Sequence, residues 1–227
     1  MNPENFWQQI DPPGHHSTAG PFDTSYVAAF DGGQWRLPIR VLADGRQALA
    51  SLIINQASFV VQDALAQALA SRIAGLDIDV VIGLPTLGLT LASAVARHLG
   101  HSRYVPLGTS RKFWYRDELS VPLSSITTPD QKRLYIDPRM LPLIEGRRVA
   151  LIDDVISSGT SIIAGLKLMA LCGVEPVVIG AAMLQSERWR PRVDDLDPTW
   201  TARIVGVFST PILQPAVGGG WQPPTPA

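Results

Sequence analysis

The segment Val149-Ala150-Leu151-Ile152-Asp153-Asp154-Val155-Ile156-Ser157-Ser158-Gly159-Thr160-Ser161-Ile162 holds the residues best suited to chemistry in this 227-residue chain. Its apolar start predicts a central strand over 147–153, buried on both faces of a sheet, and two adjacent acids close that strand. Open α/β sheets bind ligands at the C-terminal ends of their strands. Neighbouring buried carboxylates are costly unless a cation or hydrogen-bond donors meet them. Ribose hydroxyls and a magnesium-bound diphosphate would supply both. Ser157, Ser158, Gly159, Thr160 and Ser161 then lead into a helix expected over Thr160–Leu171. Small side chains and one glycine let backbone N–H groups converge on an anion, and the helix dipole and hydroxyls strengthen the attraction. One short segment can thus hold a sugar diol and a phosphate side by side, as in ribose 5-phosphate. The plainer reading is a doubly wound fold with a polar strand end and an N-capped helix. Either half alone says little; the two in register favour the ligand.

Those residues need a scaffold, and the rest of the sequence predicts one. Ser58 can cap a helix whose apolar stripe is Phe59, Val61, Ala64, Leu65, Ala68, Leu69 and Ile73, ending at Gly75. Strands are expected at 78–82, 104–107, 176–183 and 202–208, with a second helix over about 87–99. Strands alternating with helices of this length argue for βαβ units and a parallel sheet. Before them, residues 24–54 alternate weakly, with turns at Gly32-Gly33 and Asp44-Gly45. They predict an antiparallel appendage outside the main sheet. The first 22 residues look like an extended arm, and the Pro/Gly-rich end like a loose tail.

Bulk properties exclude other classes. The composition, 46% hydrophobic and 17% charged, is that of a soluble globular protein, and the length allows one sizeable domain with a small elaboration. A formal net charge of −1 gives no support to a nucleic-acid-binding surface. The lysines are Lys112, Lys132 and Lys167 alone, against many arginines. The single cysteine, Cys172, allows no intrachain disulfide and reads as core. No charged-then-apolar leader opens the chain. The longest apolar stretch, 80–96, is broken by Pro85 and Gly88, so neither secretion nor a membrane span is expected and the cytoplasm is the expected location. His15 and His16 form a pair that could bind metal, but no further His, Cys or acid cluster supports them in the sequence, and a solvated arm is expected.

Ile152-Asp153-Asp154-Val155-Ile156-Ser157-Ser158-Gly159-Thr160-Ser161 resembles the signature by which type I phosphoribosyltransferases bind 5-phosphoribosyl-1-pyrophosphate (PRPP). The resemblance spans about residues 58–185. It implies an α/β fold: a central parallel sheet flanked by helices, a flexible β-hairpin lid and a small hood built from both ends of the chain. Residues 23–209 would form one phosphoribosyltransferase domain, with hood strands at 23–57, the PRPP-binding core at 58–185 and a hood or last strand at 186–209. Residues 1–22 would be the arm and 210–227 the tail. The resemblance further implies that Asp153 and Asp154 contact the ribose hydroxyls, that Ser157, Ser158, Gly159, Thr160 and Ser161 hold the 5′-phosphate, and that Val155 and Ile156 belong to the same PRPP-binding run. Mg²⁺ would be held through PRPP and water, with Asp153 and Asp154 as the candidate protein contacts.

Two further segments resemble parts of the same family. Gly83-Leu84-Pro85-Thr86-Leu87-Gly88 looks like the pyrophosphate loop, with Pro85, Thr86, Leu87 and Gly88 at the diphosphate: Thr86 and Gly88 fit, whereas Leu87 stands where orotate and adenine members often carry a basic residue. Taken alone, this loop would be a plain βα turn. Ser110-Arg111-Lys112-Phe113-Trp114-Tyr115-Arg116 looks like the start of the catalytic lid. There Arg111 and Lys112 would neutralise the leaving group, and Tyr115 and Arg116 would lead into a loop over 116–132 containing Pro122 and Pro129. Otherwise Arg111 and Lys112 are solvated surface charges. Relatives often place this lid in a neighbouring subunit's site, which implies a homodimer. The implied reaction moves the phosphoribosyl group of PRPP to a nucleobase, and Asp154 or Asp153 would accept a proton. The base stays open: the signature is closest to orotate-type enzymes, while the long segment before Asp153 looks adenine-type and tips the balance to a purine. Trp114, Tyr115 and Phe30 could stack on a base or simply pack. A non-catalytic PRPP sensor acting through a protein partner is the alternative, and Leu87 suits it.

Overall fold

The computed structural model describes residues 2–123 and 132–224. Weak alternation after residue 24 resolves into three short antiparallel strands, β1 (Ser25–Phe30), β2 (Gly33–Val41) and β3 (Ala48–Ala50). Trp35 and Leu37 on β2 are fully buried. The next element, α1 (Phe59–Ile73), begins where Ser58 Oγ accepts the Val61 N–H, and it buries Val61, Leu65, Leu69 and Ile73 at helical spacing. β4 (Val80–Gly83), α2 (Gly88–His98) and β5 (Val105–Pro106) follow.

Two short strands, β6 (Ser120–Pro122) and β7 (Arg133–Tyr135), pair antiparallel as the base of a hairpin. Residues 124–131 of the expected lid loop, Pro129 among them, lie outside the described residues. After α3 (Leu141–Ile144) come β8 (Val149–Ile156), α4 (Thr160–Leu171), β9 (Val178–Gln185), α5 (Trp189–Asp194) and β10 (Ile204–Thr210).

The central sheet has the order β10-β9-β8-β4-β5, parallel throughout. The chain steps outward from β4 to β5 on one side and from β8 through β9 to β10 on the other. The order therefore reverses between β4 and β8, which is where an α/β sheet opens a crevice at its strand ends. Helices cover both faces. Ala150 and Ile152 of β8 face the core shared with α1 and α2, while Val149 and Leu151 face the core shared with α4. This period-two split explains why the strand is apolar without a break. Among the described residues, no helix is long and apolar enough to cross a membrane.

Several expectations need correction. β8 runs to Ile156, so the acids lie within the strand rather than closing it. Of the two readings of 186–209, β10 follows the last-strand one and pairs with β9 in the core sheet. The expected loose tail is paired: β11 (Ile212–Pro215) adds to β3, and β12 (Trp221–Gln222) adds to β11 across a turn over 216–220. Its Pro/Gly content marked a turn, not disorder. The arm is also seated, because Phe6 and Trp7 are buried and Trp7 Nε1 donates to the Ser51 carbonyl at 3.0 Å. Burying a side chain of that size contributes about 1.5–3 kcal/mol, enough to hold an otherwise irregular segment. Cys172 is half-buried at the end of α4, and burial pushes its thiol up to about 11.

Candidate active site

β4 pairs with β8 only as far as Gly83 and Ile152, whereas β9 continues alongside β8 to Ile156. The last tie on the β4 side is the Leu84 N–H donating to the Ile152 carbonyl at 2.9 Å. From Asp153 onward β8 therefore has one edge free of β4. Residues 85–87 turn away there, and α2 starts back against the acids. A Cβ on Gly88 would lie 2.7 Å from Asp153 Oδ1 and 2.8 Å from Asp153 Cα, so the approach requires glycine. The Pro85–Thr86 peptide is cis. Thr86 is exposed, and Leu87 packs partly against the core shared with α1 and α2.

Asp153 is 5% exposed and Asp154 half-buried. The Asp154 N–H donates to Asp153 Oδ1 at 2.9 Å. Burial pushes the Asp153 carboxyl well above its ordinary value, and the neighbouring Asp154 charge pushes it further. Burial raises Asp154 as well, partly offset by its hydrogen bond with Asp153. None of the ion pairs among the described residues involves either acid. Among the described residues the acid pair thus has no cationic partner, so it holds protons more tightly than exposed carboxyls do and would gain from an external cation.

The residues after the acids curl into a concavity of about 120 Å³, lined by Asp153 and by the run from Val155 to Ile162. Gly159 sits there in the left-handed region at φ 79°, and the Ser158 and Thr160 hydroxyls share a hydrogen bond of 3.1 Å. Asp153 and the hydroxyl loop therefore face one small hollow; Asp154 does not line it. Two arginines that the sequence reading missed brace this loop from α5. Arg192 Nη1 donates to the Ser158 carbonyl at 2.8 Å and to Thr160 Oγ1 at 2.9 Å, and Arg188 Nη2 reaches Ser157 Oγ at 3.3 Å. Buried Trp189 seats the helix against Gly159. The i, i+4 spacing of Arg188 and Arg192 was visible, but Pro191 between them disguised the helix that puts both on one face.

The lid segment makes its own contacts. Arg111 Nε donates to Asp117 Oδ1 at 2.8 Å, with both side chains largely in solvent, and Lys112 is exposed. No hydrogen bond or ion pair among the described residues joins Arg111 or Lys112 to the acid pair. Trp114 Nε1 donates to Asp137 Oδ2 at 3.1 Å, while Arg139 donates to the same carboxylate at 2.5 Å and lies 4.9 Å from the Trp114 ring centroid. The Arg139 hydrogen bond holds the Asp137 carboxyl well below the usual carboxylate range. The Tyr115 ring is 5.9 Å from Tyr135, and burial, with the Asp137 charge, raises its phenol. Arg116 is exposed, and its carbonyl accepts the Leu119 N–H at 3.1 Å. Phe30 packs edge-on to Trp35. Gln185 spends its amide on the Ala50 carbonyl at 2.6 Å, tying β9 to the hood.

Comparison with known proteins bears on the same region. The family model described as phosphoribosyl transferase domain matches residues 51–209. A hypoxanthine/guanine phosphoribosyltransferase of Methanosarcina acetivorans is 30% identical over 144 residues, covering 63% of this chain and 67% of that one. An orotate phosphoribosyltransferase of Halorhodospira halophila is 31% identical over 146 residues, covering 62% of this chain and 60% of that one. Among solved structures, the adenine phosphoribosyltransferase of Rhodothermus marinus superposes with a TM-score of 0.55 at 21% identity, over 76% of this chain and 94% of that one. With a family model covering well over half its length, including the switch-point crevice and its acid pair, the chain belongs to the phosphoribosyl transferase domain family.

Proposed function

We propose that this chain transfers the 5-phosphoribosyl group of PRPP to a purine base, giving a nucleoside 5′-monophosphate and pyrophosphate. One observation carries the reading: at the sheet's switch point a buried carboxylate and a hydroxyl-lined loop share one hollow, with Gly88 pressed against that carboxylate. The amides and hydroxyls from Val155 to Ser161 would hold the 5′-phosphate, and Asp153 and Asp154 the ribose hydroxyls. Pro85, Thr86, Leu87 and Gly88 would border the diphosphate. Arg192 and Arg188 would fix the loop and add positive charge beside it. The names of the sequence relatives, mostly hypoxanthine/guanine enzymes, support a purine over orotate.

The uncompensated acid pair fits Mg²⁺, which prefers carboxylate oxygens and keeps several waters. Asp153 and Asp154 would hold it together with PRPP, and bound there it neutralises charge on the diphosphate. In the reaction the C1–O bond to pyrophosphate breaks, its electron pair leaving with pyrophosphate, and a base nitrogen bonds to C1 from the opposite face. The protein contributes position and charge complementarity to an oxocarbenium-like transition state. A raised carboxyl pKa suits Asp154 or Asp153 to accept the proton that the base releases. Arg111 is paired with Asp117, so its part, with that of Lys112, would be to leave that pairing, reach PRPP with the lid segment and exclude water. We propose a homodimer in which that segment serves the neighbouring site, and one functional domain over 23–209.

A pyrophosphate-release assay with PRPP, Mg²⁺ and adenine, hypoxanthine, guanine, xanthine or orotate tests the assignment. Release with at least one purine and none with orotate is expected; release with orotate alone would overturn the purine choice. The partly packed Leu87 and the Arg111–Asp117 pair favour one second reading, a non-catalytic PRPP sensor. That reading gives calorimetric PRPP binding without release on any base.

A further inference from the structure

We infer that the N-terminal arm carries a separate metal site, in which Asp11, His15 and His16 bind a borderline divalent cation of the Zn²⁺ class. One ligand atom from each residue lies within 4.8 Å of the other two. His16 Nε2 is 2.7 Å from Asp11 Oδ2, and the His15 and His16 rings meet edge-on with centroids 4.6 Å apart. The sequence offered only an adjacent histidine pair; the fold adds the carboxylate. Two imidazoles and a carboxylate form a donor set that suits zinc, and three protein ligands leave one tetrahedral position for water or a group from outside.

The ligands are preorganised from both ends. Asp11 is fixed by its backbone: its N–H donates to the Gln34 carbonyl at 2.7 Å, and its own carbonyl accepts the Gln34 N–H at 2.8 Å. The Gln34 side chain, itself 6% exposed, accepts the His16 N–H at 2.9 Å. Between these anchors Pro12-Pro13-Gly14-His15 closes a turn, with the His15 N–H on the Pro12 carbonyl at 3.1 Å and Gly14 at φ 81°, as a type II turn requires. The arm lies so close to β2 that a Cβ on Gly33 would fall 2.5 Å from the Asp11 carbonyl oxygen. A solvated arm would need none of this. A bound cation would pin the arm, with its buried Phe6 and Trp7, to the hood strand β2.

The test uses untagged full-length protein stripped with EDTA and titrated with Zn²⁺ by calorimetry, and with Co²⁺ by visible absorption. One equivalent of Zn²⁺ should bind, and Co²⁺ should give the intense bands of a four-coordinate site. His15→Ala, an exposed position that leaves the arm's anchors intact, should weaken Zn²⁺ binding by at least the roughly 10–100-fold that losing even an outer partner costs. Asp11→Asn should do likewise. Zn²⁺ should raise the unfolding midpoint of the native protein and not that of His15→Ala. Binding should persist in Asp153→Asn/Asp154→Asn, which separates this site from the acid pair. Absence of saturable binding, equal binding by His15→Ala, or loss of binding in the Asp153→Asn/Asp154→Asn protein would overturn the inference.

Discussion

Gly88, the first residue of α2, sits against Asp153 with room for no side chain: a Cβ there would meet Asp153 Oδ1 at 2.7 Å and the Asp153 backbone at 2.8 Å. The loop expected to border the diphosphate and the acid expected to hold the ribose are thus set by one contact. Gly88→Ala forces either the helix start or β8 to shift, and overpacking of this kind costs about 1–3 kcal/mol. The expected result is a lowered unfolding midpoint together with PRPP turnover reduced by roughly 100-fold, the scale of a 1 Å misplacement. Native kinetics in Gly88→Ala would show that the contact positions nothing.

The acid pair should weaken the fold that carries it. Asp153 holds its proton more tightly folded than unfolded. From its ordinary value of 3.8 up to its raised folded value, the folded state therefore carries the extra proton. Stability from this group falls as pH rises through that window. Asp153→Asn should be more stable than the native protein at neutral pH, the gap closing as pH drops to about 4, where the unfolded carboxyl protonates too. Its turnover should be lost. Identical midpoint-versus-pH curves for the two proteins would contradict this.

Asp137 should behave with the opposite sign. Arg139 and Trp114 hold its carboxylate, so its folded pKa is depressed and the stability it gives is present above its ordinary 3.8. That stability is lost as pH falls toward the folded value. Asp137→Asn should lower the unfolding midpoint at pH 7, with the difference shrinking below about pH 4. A constant difference across that range would assign the effect to packing instead.

Arg192 is expected to position the phosphate loop through the Ser158 carbonyl and the Thr160 hydroxyl. Hydrogen bonds from a charged donor are worth about 1.5–3 kcal/mol. Arg192→Ala should therefore raise the KM for PRPP by roughly tenfold or more, with a smaller change in kcat and partial rescue by Arg192→Lys. A fall in thermal midpoint with KM unchanged would leave Arg192 a purely structural role.

The core was legible where local signals agreed. Ser58 as a cap, the Thr160–Leu171 helix and the apolar run before Asp153 each follow from short-range propensity, and together they specify the parallel sheet. What stayed hidden depends on pairings distant in sequence. β11 finds β3 from more than 160 residues away, and nothing in its Pro/Gly-rich surroundings announces a partner. α5 was masked by Pro191, so the arginines bracing Ser158 and Thr160 went unseen. Asp11 joins His15 and His16 only because β2 holds the arm back on itself. Residue type and position suggest a lid role for Arg111 and Lys112, but they do not show the exposed Arg111–Asp117 pair that the fold forms.

On the proposed function, the hollow beside Asp153 takes PRPP and delivers its sugar to a base. The most direct measurement is mass spectrometry of the products formed from PRPP, Mg²⁺ and a mixture of nucleobases by the native protein and by Asp153→Asn/Asp154→Asn. A purine nucleoside 5′-monophosphate is expected from the native protein and none from the double variant, with the variant still folded. A monophosphate formed equally by both proteins, or by neither, would contradict it.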